Sequence, residues 1–246
     1  MAVREASSAL TVRAVLGLYR DVWNFARWPT MAPARLALGS AFAIVFGALF
    51  ALDCSLALGA FYLEGAIADA GHAFPDPIVE DYTFAGDFLD LVILAPLIEE
   101  CLFRGWLRGD VAALRFAVIA WIAVGLVMIS DFFAASMFDG LASVALIVLL
   151  FGLVQWLGTR QRETHVPRWF EAHYHWFVWG STLAFGLIHL GNFEAVNGPI
   201  DLVLVASQTI GGLVLAYTRT RLGLGAAIAQ HSAFNLIILA ETASYG

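Results

Sequence analysis

Three short constellations in this 246-residue chain combine chemically capable residues at spacings that a helix would exploit. In Ala95-Pro96-Leu97-Ile98-Glu99-Glu100-Cys101-Leu102-Phe103-Arg104, two adjacent carboxylates follow an apolar run. Glu100 and Arg104 stand four residues apart, so on a helix they share a face and pair. Glu99, about 100° round the same helix, points elsewhere. Phe185 and His189 repeat the four-residue spacing, and so do His231 and Asn235. Glutamate and histidine together hold and deprotonate a water, while an imidazole and an asparagine amide donate hydrogen bonds to a developing oxyanion, worth about 2.7–4 kcal/mol per donor. Those are the parts needed to hydrolyse an amide.

Other chemistries draw on the same residues. A serine or cysteine nucleophile is less natural, because Ser232 and Cys101 have no evident base with an orienting carboxylate around them. Zinc is the stronger competitor: Glu99, His189 and His231 would make a two-His, one-Glu set with an open fourth position. The HExxH and HxxEH metalloprotease signatures are absent from the sequence. On the residues alone, a site with no metal and no cofactor and a zinc site on those three residues both stand.

The elements that position these groups follow from composition. Hydrophobic residues make up 61% of the chain and charged residues 13%, against roughly 45–50% and about 25% in soluble domains. The mean hydropathy is +0.80. Apolar runs fall at 36–58, 88–107, 116–130, 141–158, 174–193, 201–217 and 222–240, each near the ~20 residues that cross ~30 Å of hydrocarbon. They predict an all-α polytopic membrane helix bundle of about seven transmembrane helices. A net charge of −7 leaves no basic surface for nucleic-acid phosphates, so nucleic acid is not an expected partner. Cys54 and Cys101 lie far apart inside apolar runs and read as small core residues.

The gaps between runs alternate in charge. Arg4, Arg13, Arg20, Arg27 and Arg35 precede the first run, whereas residues 64–87 carry six acids and no arginine and read as an outer loop. Arg104, Arg108 and Arg115 follow the second run; then come an arginine-free turn with Asp131 and Asp139, an Arg160/Arg162/Arg168 loop, an arginine-free loop with Glu194, and Arg219/Arg221. All 13 basic residues are arginine and all fall on one side. The positive-inside rule makes that side cytoplasmic and places the N-terminus there. Trp23, Trp28, Trp106, Trp156, Trp169 and Trp176 gather near the same side, as an interfacial belt does.

Residues 1–35 are too arginine-rich for a cleaved signal. Arg13, Arg20 and Arg27 recur every seven residues beside apolar side chains, the pattern of an amphipathic helix in the headgroup layer. Residues 36–246 then form one membrane domain. Asp53, Asp90 and Asp201 lie near run ends, within reach of interfacial water, and Gln208 reads as amide glue between helices. Gly223, Gly225, Ala226 and Ala229 read as close helix packing. His72, His165, His173 and His175 fall in loops and read as solvated.

Glu99-Glu100-x-x-x-Arg104, Phe185-x-x-x-His189 and His231-x-x-x-Asn235 resemble, in order and spacing, the three motifs of the CPBP family, the CaaX proteases and bacteriocin-processing enzymes related to the Ras-converting endopeptidase. The resemblance covers a core of about 85–240 and implies an intramembrane glutamate-dependent endopeptidase. It implies that Glu99 and His189 activate water, that His231 and Asn235 form the oxyanion hole, and that Glu100, Arg104 and Phe185 support them. The implied partner is a membrane-associated or lipidated peptide or protein. The chain departs from the usual pattern in placing two additional apolar runs, 116–130 and 141–158, between the first and second motifs.

Counting 1.5 Å per residue puts Glu99 about 12 Å and His189 about 18–20 Å from the inner surface. Tilt, a kink at Pro96 or an irregular stretch near Gly105 must close the difference. Two other classes compete: a catalytically silent peptide-binding or bacteriocin-immunity protein, and a proton-coupled transporter using Glu99, Glu100, His189 and His231 as a relay. The arginine-only, alanine- and glycine-rich composition suggests a bacterial inner membrane.

Overall fold

The computed structural model describes residues 2–32, 35–78, 84–130 and 135–245, with backbone alone at 2–12, 130, 135–139 and 245. The expected turn at Asp131, the side chains of Arg4 and Asp139, and Glu80 and Asp81 of the outer loop lie outside the described residues.

The chain runs through α1 (Ala2–Arg27), α2 (Ser40–Asp69), α3 (Phe84–Asp87), a π-helical segment (Phe88–Leu94), α4 (Ala95–Phe103) and a 3-10 turn (Gly105–Arg108). It continues through α5 (Val111–Ser130), α6 (Ala135–Thr159), α7 (Arg168–Ala172), α8 (Tyr174–Ile188), 3-10 turns at His189–Asn192 and Pro199–Val205, α9 (Ala206–Arg221) and α10 (Leu224–Tyr245). The protein is all-α and polytopic: among the described residues five helices are long and apolar enough to cross a membrane, Ser40–Asp69, Val111–Ile129, Gly140–Thr159, Pro199–Arg221 and Leu224–Ser244.

The other two of the seven expected runs are helical but differ from simple spans. Run 88–107 is broken by the π segment and carries Asp90, Glu99 and Glu100. Run 174–193 yields only 15 α-helical residues before the 3-10 turn, about 22 Å of rise. Irregular backbone occurs ahead of Pro96 and after Arg104.

The chain divides into two compact units, Met1–Leu97 with Tyr174–Gly246, and Ile98–His173. In the first, α9 is central and packs on α8, α2, α10 and α1. Every residue from Val214 to Thr220 is buried. The turn into α10 is set by Gly223, whose φ of +112° suits glycine and whose N–H reaches back to the Thr218 carbonyl at 3.2 Å, closing the helix in a left-handed cap.

The close approach of α8 and α9 depends on Gly186. A Cβ there would stand 2.0 Å from Thr209 Oγ1 and 3.3 Å from Thr209 Cα, and that hydroxyl is already bonded to the Val205 carbonyl at 2.8 Å. Gly186→Ala is therefore expected to destabilise the protein by about 1–3 kcal/mol through overpacking. Thermal unfolding in detergent checks it; an unshifted midpoint would contradict the packing.

At the other end of this unit, the expectation of a solvated His72 is corrected. His72 Nε2 lies 2.7 Å from Asp201 Oδ1, while Asp201 Oδ2 accepts the Asn197 and Gly198 N–H groups at 2.7 and 3.1 Å. Asp201 is buried rather than bathed by interfacial water, because its two oxygens clamp the loop that leads into α9. An antiparallel bridge between Pro77 and Phe193 stitches the same two loops together, with the Ile78 N–H on the Asn192 carbonyl. His175 is also engaged, stacking on Trp28, whereas His173, in the second unit, is exposed as expected, with its Nδ1 2.8 Å from the Trp169 carbonyl.

In the second unit α5 and α6 pack along their lengths, with Gly152 against Ile119. Arg115 ties the base of the pair, donating to Glu163 Oε2 at 2.6 Å and Thr159 Oγ1 at 2.8 Å. Phe103 meets Trp121 edge to face at 5.2 Å. Cys54 and Cys101 are half-buried thiols.

Candidate active site

The second and third motifs come together in the first unit. The i,i+4 geometry of α8 sets Phe185 and His189 on one face. Their rings meet at 4.8 Å, and the same Phe185 ring meets His231 of α10 at 5.8 Å, both edge to face. Phe185 therefore stands between the two histidines, and it and His231 are both buried. His189 opens the 3-10 turn, and its Nδ1 lies 2.7 Å from the Phe185 carbonyl. A carbonyl only accepts, so Nδ1 carries the hydrogen and the neutral ring keeps its lone pair on Nε2. That is the tautomer a general base requires.

Asn235 donates from Nδ2 to the Leu91 carbonyl at 2.8 Å. The reason lies in the π segment. The Ala95 N–H, which an α-helix would send to Leu91, bonds instead to the Asp90 carbonyl. The next residue, which in π register would serve Leu91, is Pro96, and proline has no N–H. Two irregularities together leave the Leu91 carbonyl without a helix partner, and the Asn235 amide fills the vacancy.

The first motif belongs to the second unit. Glu100 and Arg104 pair as their spacing predicts, Oε1 to Nη1 at 2.6 Å, with both side chains fully buried. Glu99 is half-buried, turned away from Glu100 by one residue of helix. Among the described residues no three His, Cys, Asp or Glu side chains gather as a metal site.

Residues 160–237 match the family model for Rce1-like type II CAAX prenyl endopeptidases. This is the family that the three motifs resemble, so the chain carries an Rce1-like segment of CaaX-protease type. No curated protein and no solved structure matches the chain. The Rce1-like segment includes Phe185, His189, His231 and Asn235; Glu99, Glu100 and Arg104 precede it.

One polar group beside the Rce1-like residues, Asp53, sits deeper in its helix than the run boundaries predict. The first span continues to Asp69, so Asp53 is the fourteenth of the thirty residues of α2 and not near its end. It is buried. Its Oδ2 accepts from Gln230 Nε2 at 2.8 Å, and Gln230 Oε1 accepts from Thr218 Oγ1 at 2.8 Å. A continuous polar chain thus links α2, α10 and α9 at the residue preceding His231. Gly211 admits it, since a Cβ there would lie 3.1 Å from Asp53 Oδ1. The readable signal was Gln230 itself, a polar residue adjoining a motif histidine inside an apolar run.

Proposed function

We propose that this protein is an intramembrane endopeptidase that hydrolyses a peptide bond of a membrane-associated or lipidated protein with an activated water. His189 Nε2 takes a proton from the water, with Glu99 sharing the task as the resemblance implies. The resulting hydroxide adds to the scissile carbonyl carbon. The oxyanion receives hydrogen bonds from His231 and from the second N–H of the Asn235 amide, whose first is engaged by Leu91. Collapse breaks the C–N bond, and the proton held at the base passes to the departing amine. Glu100 and Arg104 hold the helix that carries Glu99.

The observation that carries this reading is the convergence of Phe185, His189 and His231 within a segment matching a CAAX-endopeptidase family model. The all-arginine side is assigned to the cytoplasm of a bacterial inner membrane, with the N-terminus on that side. Water activation needs no metal in this scheme.

The test is single-turnover cleavage in detergent of peptides with free and lipidated C-termini, comparing wild type with Glu99→Gln, with and without a strong chelator. Cleavage abolished by Glu99→Gln and indifferent to chelator is the expected result. Loss under chelator would install zinc on Glu99, His189 and His231. Folded wild type that cleaves nothing would overturn the proposal and favour a peptide-binding or immunity protein.

A further inference from the structure

At the junction of α1 and α9 in the first unit lies a cavity of about 520 Å³, walled by Asp21, Asn24, Arg27, Trp28, Thr30 and Arg221. Its position relative to a bilayer is set by Arg221, the last residue of the membrane-crossing stretch Pro199–Arg221. The end of a span lies at headgroup depth. The surrounding side chains agree with that depth: Trp23 on α1, Trp28 just beyond its end and Trp176 on α8 expose large aromatic surfaces, as interfacial anchors do.

The cavity's charge is positive. Arg221 is fixed over the Phe25 and Tyr217 rings, at 5.7 and 5.4 Å from their centroids. Asp21 is the one acid in the wall, and its Oδ2 is occupied by the Tyr217 hydroxyl at 2.8 Å and faced by Arg221 Nε at 3.9 Å. Its charge is thereby offset. Arg27 is exposed, and among the described residues it enters no ion pair. Trp28 is held in place by stacking on His175 with ring centroids 3.8 Å apart. A rigid aromatic wall, a preset guanidinium, an uncommitted guanidinium and the neutral donors of Asn24 and Thr30 suit a phosphate with an alkyl substituent.

We infer that this cavity binds the phosphate of an anionic phospholipid headgroup, seating α1 against the membrane surface at the end of α9. The site lies away from His189 and His231 in residue content and does not depend on the protein being a protease.

The test uses the full chain in nanodiscs of phosphatidylcholine alone and of equal parts phosphatidylcholine and phosphatidylglycerol, with lipid retained after extraction counted by native mass spectrometry. Wild type is expected to retain phosphatidylglycerol selectively. Arg27→Gln should weaken that retention about fivefold without moving the thermal midpoint in detergent, and Arg27→Lys should restore most of it. Arg13→Gln, about 21 Å along the same helix, should have little effect. Equal losses from Arg13→Gln and Arg27→Gln would mean diffuse charge attraction and overturn the site. So would unselective retention, or displacement of the bound lipid by inorganic phosphate as readily as by glycerophosphoglycerol.

Discussion

His189→Ala is expected to lower peptide cleavage by about 10²–10⁴-fold, the contribution typical of a positioned general base. The size follows from the commitment of the ring. Its Nδ1 is bound to the Phe185 carbonyl, so Nε2 is the basic atom, and alanine removes that atom without a replacement. The fold should survive. His189 is half-buried at the start of a short turn, and the buried Phe185 beneath it keeps its contact with His231. Circular dichroism and the thermal midpoint should therefore change little while single-turnover rates collapse. A variant that folds and cuts at the wild-type rate would remove His189 from the chemistry.

The second large effect concerns stability. Arg104→Ala is expected to destabilise the second unit by about 3–5 kcal/mol, because it leaves Glu100 as a buried carboxylate deprived of its guanidinium. Both partners are fully buried and 2.6 Å apart, so water cannot reach in to substitute. Glu100→Gln should be similarly damaging, by stranding the arginine. The double replacement Glu100→Leu with Arg104→Met should recover much of the loss, since removing both charges removes the desolvation penalty along with the attraction. Thermal unfolding in one detergent of wild type, Glu100→Leu, Arg104→Met and the double variant forms the cycle. Additive losses in the double variant would show that the two side chains do not act as a pair.

Much of this architecture is legible in the sequence because two periodicities dominate it. Apolar length identifies the membrane-crossing helices, and four-residue spacing alone places Glu100 with Arg104 and Phe185 with His189. Hydropathy is a poor guide where the chain departs from the regular α-helix. It predicts a plain span at 88–107 and misses the π segment, since a π turn is decided by local register around Pro96 and not by side-chain polarity. It ends the first span at 58, because it counts the polar Glu64 against a helix that in fact continues to Asp69. That error moved Asp53 to the membrane edge and concealed its bond to Gln230. Partnerships between residues distant in sequence, such as His72 with Asp201, leave no periodic trace at all.

The bond from Asn235 to Leu91 restricts which amino acids position 235 accepts. With residue 96 unable to donate, position 235 must supply a hydrogen to a backbone oxygen. Aspartate, nearest to asparagine in shape, would present an acceptor to an acceptor, and leucine would present nothing. The structural share of the constraint on residue 235, as distinct from its proposed part in catalysis, therefore depends on the identity of residue 96. In a Pro96→Ala background the new N–H is expected to serve the Leu91 carbonyl, so side chains lacking a donor should cost less stability at 235 even where they abolish cleavage. A deep mutational scan of position 235 in the two backgrounds would record that dependence as epistasis between a helix-breaking imino acid and an amide on α10.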